Sequence, residues 1–129
     1  MTILGSKGPE GSWMVTVTIT SGTPQLPFQA LITYGAGGGL VETDQGNSPG
    51  HGSWVSTGAN TFSFTFVNLT FDSTGNPTGT VKVREAATLS KGGDAYSGAG
   101  TVDQFDVNGK LITSRSLETQ ARRILVEPP

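Results

Sequence analysis

The chain is expected to fold as an all-β protein, a single eight-stranded antiparallel up-and-down β-barrel, and three observations lead there. Apolar residues recur at every second position in eight separate stretches, the period of a strand with one dry face. Most of the 19 glycines and 7 prolines fall between those stretches, where turns need special backbone angles. The links are short, so sequence neighbours should pair antiparallel, and no stretch carries helical spacing. Eight meandering strands suffice to close a wall and remove its exposed edges. An open β-sandwich is the alternative. One domain fits 129 residues: a flexible leader over residues 1–11 and the barrel over 12–126.

Residues 12–20 alternate cleanly, Trp13, Val15, Val17 and Ile19 on one face and Met14, Thr16 and Thr18 on the other. Residues 28–34 follow, with Phe28, Ala30 and Ile32 facing inward. Gly35 to Gly39 turns the chain into 40–44, and a loop containing His51 leads to 53–57. Residues 61–72 hold four of the six phenylalanines. Phe62, Phe64 and Phe66 share one face, but beyond them the apolar parity passes to Val67, Leu69 and Phe71. Such a flip predicts a bulge or coil, the device that bends a long strand around a closing sheet. A turn at 73–77 precedes the strand 80–89, and Lys91 to Asp94 turns into 95–106. Asn108-Gly109 is a strong hairpin signal before the last strand, 111–124.

Composition excludes several functions. Cys is absent, which removes disulfides, thiolate metal sites and cysteine nucleophiles. Only 14% of residues are charged, with net charge −2 and no basic cluster, so nucleic acid is not an expected partner. No apolar run is long enough to span a membrane as a helix. The first residues lack the apolar core of a signal peptide, so the expected location is the cytoplasm, or outside it if an export signal has been trimmed. No metal or cofactor is expected: the one histidine leaves only carboxylates for a metal. The glycine-rich run 35–39 is followed by neither Lys-Ser/Thr nor a helix, so it is no phosphate loop.

Gly11-Ser12-Trp13 opening the first strand, with Arg122-Arg123 in the last, resembles the calycin superfamily of lipocalin-like and avidin-like barrels. A second Gly-x-Trp, Gly52-Ser53-Trp54, sits mid-chain. The resemblance implies a cation stacked on the first tryptophan, worth about 0.5–2 kcal/mol. One of the two arginines must face inward, because successive residues point to opposite sides. Over most of its length the chain is also similar to a family of small, uncharacterised and often exported bacterial β proteins. The likeness lies in PFQALITYGAGGGLVET, SPGHGSW, LSKGGDAYSG and FDVNGKL. It implies the fold and carries no function.

An eight-stranded barrel either fills its interior or holds one small ligand. The candidate lining is Trp13, Phe28, Ala30, Ile32, Tyr34, Trp54, Phe62, Phe64, Phe66, Val83 and Tyr96, with Val81 beside it. The small residues Ala30, Ala87, Gly98 and Gly100 lie where larger ones would have closed the space. Tyr34 and Tyr96 offer hydroxyls at a rim. Glu85 continues the inward parity of Val81 and Val83, and a carboxyl there is costly unless paired, hydrogen-bonded or protonated. Two geometries are open: Glu85 enters the barrel, or a bulge exposes it and turns Arg84 inward. Glu85 and His51 are the candidate acid-base groups. Glu42 and Asp44 share a face, which fits acid chemistry or, more readily, a solvated edge. Three functions follow. The first is a barrel binding a small apolar ligand, monomeric or as a homodimer. The second is a cofactor-free isomerase, cyclase or lyase resembling allene oxide cyclase. The third is a structural barrel with a filled core.

Overall fold

The computed structural model describes residues 8–129, so the first seven residues of the expected leader lie outside the described residues. Eight strands follow one another: β1 Gly11–Ile19, β2 Phe28–Tyr34, β3 Gly39–Asp44, β4 Gly50–Ser56, β5 Thr61–Phe71, β6 Pro77–Leu89, β7 Ala95–Phe105 and β8 Leu111–Arg123. Each pairs antiparallel with the next. β1 then pairs with β8, from Trp13 opposite Arg123 to Ile19 opposite Leu117, which closes the barrel. Every strand therefore has two partners, and no open sheet edge remains.

Alternation decides what goes inside. The buried core collects Trp13, Val15 and Val17 from β1, Ala30, Ile32 and Tyr34 from β2, Phe62, Phe64 and Phe66 from β5, Val83, Ala87 and Leu89 from β6, Leu117 and Ala121 from β8, and one residue each from β3 and β7. The outer face carries hydroxyls and charges, among them Ser63, Thr65, Arg84, Ser97, Glu118 and Gln120. Among the described residues no helix is long and apolar enough to cross a membrane.

Several hairpins share one local design. After Asp72, Gly75 donates its N–H to the Asp72 carbonyl at 3.0 Å and adopts φ +85°. The Asp72 carboxylate accepts the Thr74 and Asn76 N–H groups, both at 2.9 Å. Asp106 repeats this with Asn108, Gly109 and Lys110. The Asn108-Gly109 pair is therefore not the centre of a two-residue turn. Gly109 alone takes the left-handed position, at φ +81°, after a tight turn held by the aspartate.

The predicted break in β5 does not occur. Pairing runs without a shift with β4 from Phe62 to Asn68 and with β6 from Thr61 to Thr70, and the irregularity comes only at Thr70/Phe71. Asn68 keeps the inward parity of the phenylalanines and is fully buried. Leu69 and Phe71 stand outside, 57% and 50% exposed. The reason lies in partners distant in sequence: the Asn68 amide donates to Glu42 Oε1 at 2.8 Å and to the Ser48 carbonyl at 2.7 Å, so a polar residue is satisfied inside.

One end of the barrel is sealed by the chain's own approach. Gly8 to Glu10 crosses it, and Trp13 Nε1 donates to the Pro9 carbonyl at 2.8 Å. The Arg123 guanidinium lies 4.4 Å from the centre of the Trp13 ring and donates to the Gly8 and Gly93 carbonyls at 2.9 and 2.8 Å. Arg123 is the inward arginine and Arg122 the exposed one. Replacing Arg123 by Ala removes a cation–π contact and several charged hydrogen bonds, so unfolding should ease by about 2–4 kcal/mol. Arg122→Ala should change stability by less than about 0.5 kcal/mol. Urea midpoints of the two variants check this, and equal midpoints would show that the seal contributes nothing.

Candidate functional site

The interior divides along the barrel axis. Near the sealed end Trp13, Tyr34, Phe62, Phe64 and Tyr96 pack edge to face or stacked, with ring centres 4.8–5.9 Å apart along the chain of contacts. The Tyr34 and Tyr96 hydroxyls bond to each other at 2.8 Å. Burial, chiefly, holds both phenols well above their ordinary range. These tyrosines belong to a plug and not to a rim, and Trp13, Phe62 and Phe64 are likewise packing residues. Trp54 is half-buried at the edge of this cluster, its Nε1 donating to the Gly35 carbonyl at 2.7 Å.

Beyond the plug a cavity of about 50 Å³ remains. Its walls are apolar: Val15, Val17, Ala30, Ile32, Phe66, Val83 and Leu117 contribute most of them. Of the lining expected from sequence, Phe28, Ala30, Ile32, Phe66 and Val83 are here. Above it a basin of about 300 Å³ opens to solvent at the other end, bordered by Ile19, Phe28, Asn47, Gln104 and Arg115. The two spaces share Ile19, Phe28, Asn47, Val81 and Val102, so the basin is the mouth of the chamber. Gly98 and Gly100 do not line it. A Cβ on Gly98 would lie 2.7 Å from Thr119 Oγ1 and 2.9 Å from Glu85 Oε1, and one on Gly100 would lie 1.8 Å from the Arg84 carbonyl oxygen. The room these glycines leave is taken by a side-chain pair and by backbone.

Glu85 enters the barrel. β6 runs in register with β5 and β7 through this point, so there is no bulge, and Arg84 faces out to bind Asp103 at 2.7 Å. Glu85 is 7% exposed and borders the chamber. Thr119 Oγ1 donates to its Oε1 at 2.6 Å. Oε2 has no hydrogen-bond partner among the described residues and is not sealed off, so it opens on the cavity. Burial pushes the carboxyl up to about 7, with the Thr119 bond pulling the other way.

A second acid site lies at Glu42 and Asp44, where the sequence favoured a solvated edge. Glu42 is not a solvated edge but 2% exposed, inside the barrel beside Asp44 and under Asn68. Burial first, then the shared hydrogen bond with Asp44, pushes its carboxyl up to about 8, while the Asn68 bond lowers it. Asp44 in turn accepts the Gly46 and Asn47 N–H groups at 2.9 and 3.0 Å. Glu42 thus keeps its proton at neutral pH. The signal lay in parity: Leu40, Glu42 and Asp44 alternate inward as β3 pairs with β2. Gly50 makes room for the group, since a Cβ there would lie 3.0 Å from Glu42 Oε1.

His51 is not at the mouth. β4 begins three residues before its expected start, so His51 is a strand residue between Val41 and Val67, exposed on the outer wall. It cannot reach the chamber, and no acid-base role there falls to it. Among the described residues no three His, Asp or Glu side chains converge on a metal-sized site. No family model matches the chain, and no curated protein is significantly similar to it.

The buried carboxyl fixes a direction of pH dependence. Between 4.5 and about 7 the folded chain holds a proton on Glu85 that the unfolded chain releases, so stability from this group falls as pH rises through that window. A displacement of that size corresponds to about 3 kcal/mol. Glu85→Gln should flatten the loss, becoming stable relative to the parent at pH 8 and not at pH 5. Chemical denaturation of both chains across this range tests it; parallel slopes would mean the carboxyl is not held in an apolar interior.

Proposed function

We propose that the chain is a small-molecule-binding barrel that takes a largely apolar ligand through its one open end. The observation that carries this reading is the asymmetry of the interior: aromatics fill one half solidly, and the other half keeps an apolar chamber beneath an open basin. A purely structural barrel gains from filling both halves. It also gains nothing from Glu85, whose Oε2 is kept in apolar surroundings without a partner. The chamber alone is below the ~300 Å³ at which ligand pockets begin. Chamber and basin together reach that range, so the ligand lies along the axis with its body in the mouth.

The calycin likeness supports the same reading through the closed wall and the cation over Trp13. A second reading, a cofactor-free isomerase or cyclase, is favoured by one observation: Glu85 has a proton affinity near neutrality and a free oxygen facing the cavity, the properties of a general acid or base.

Native mass spectrometry of protein purified from its own host should show a co-purified molecule. Ala30→Leu adds bulk to the chamber wall at a cost of about 1–3 kcal/mol. It should weaken binding of a neutral naphthylamine dye at least about tenfold while the strand signal in circular dichroism stays unchanged. Equal dye affinity in parent and variant would place the binding elsewhere.

A further inference from the structure

From the side chains that meet in the chamber we infer that its ligand is an apolar primary amine, entering ammonium first and anchored by Glu85. The inference rests on the binding reading above and names the chemistry of its ligand. All three ionisable side chains lining the chamber, Glu42, Asp44 and Glu85, are acids. Glu42 and Asp44 are largely occupied, by Asn68, by each other and by the N–H groups of the following turn. Glu85 is not: one oxygen takes the Thr119 hydroxyl and the other faces the cavity.

A carboxylate in an apolar lumen is relieved by a cation that brings its own N–H donors. The same walls exclude water, which strengthens the pairing. An ammonium gains from Glu85 directly and from the shared negative charge of Glu42 and Asp44 across the chamber. The dimensions select the shape. About 50 Å³ holds a few water-sized groups, enough for an ammonium and a short run of methylenes, with the apolar body behind it among Ile19, Phe28, Val81 and Val102 in the mouth. A bulky quaternary head would not fit. Arg115 borders the basin with no ion pair among the described residues, and an anionic amphiphile could use it from the mouth. That ligand would run the other way, head outward.

Calorimetric titration with hexylamine, hexanol and hexanoate separates the cases. Hexylamine should bind at least about tenfold more tightly than hexanol at pH 8. Glu85→Gln, which retains an acceptor for Thr119, should remove that advantage and leave hexanol binding unchanged. In the parent chain hexylamine affinity should rise from pH 6 to pH 8, because the carboxylate form of Glu85 grows through about 7 while the alkylammonium stays charged. The titratable or charged groups near Glu85 are Tyr34, Tyr96, Glu42 and Asp44, with Arg115 at the mouth. The phenols keep their protons throughout, and deprotonation of Glu42 acts in the same direction. Hexanol or hexanoate binding as tightly as hexylamine, or an amine affinity flat with pH, would overturn the proposal while leaving a binding barrel. If none of the three binds, the binding reading falls and the amine with it.

Discussion

The pairing of β1 with β8 is the constraint on which the rest of the interior depends. It brings Arg123 of the last strand opposite Trp13 of the first, and only in a closed wall do the two chain ends meet in this way. The cation over the indole and the carbonyls of Gly8 and Gly93 then lock the sealed end. Because Trp13 is held there, Tyr96 packs edge to face against it and Tyr34 edge to face against Tyr96, and Phe62 and Phe64 complete the plug. Most of the aromatic side chains are used at one end. The other end keeps Phe28 and Phe66 among aliphatic residues, Ala30 and three acids, and these leave a chamber unfilled.

This distribution explains why the acids sit where they do. A carboxyl placed among the aromatics would have no relief, whereas Glu85 borders the chamber at the level where packing stops. Its neighbour in the next strand but one, Thr119, supplies a single short hydrogen bond, and Gly98 between them has no Cβ to intrude. Glu42 is treated similarly on the opposite wall, with Asn68 as donor and Gly50 as the space. Two strands thus give up side-chain packing to house a polar group. Residues that weaken their own strands are usually kept for something other than stability.

The wall was legible in the sequence because its physics is local. Alternation in β1 and β2 names the inward residues without knowledge of their partners, and the glycine-bearing turns announce themselves, though not the aspartates that hold them. The interior was legible in part, because what fills a lumen depends on strands far apart in sequence. Val67, Leu69 and Phe71 suggested a change of face, yet burial of Asn68 was decided by Glu42, 26 residues away. Glycines at 98 and 100 suggested space, yet that space is filled from β6 and β8. His51 drew attention as the lone imidazole, but the earlier start of β4 puts it on the outside. Glu85 was read correctly as one of two geometries, and the unbroken register of β6 decided between them.

A lumen sealed at one end and open at the other imposes direction on anything that enters. Steric fit alone would admit a slim apolar molecule by either end. The floor, however, carries an acid with one free oxygen, and the rim carries Arg115. In the proposed binding a cationic tip passes the single arginine of the rim into a region lined by acids, and loses solvent only where a partner waits. An anionic tip meets the opposite sequence and stalls at the rim. Orientation therefore follows from the axial order of charges. That order follows in turn from which strands supply long inward side chains at each level, and so from the same closure that set Arg123 over Trp13.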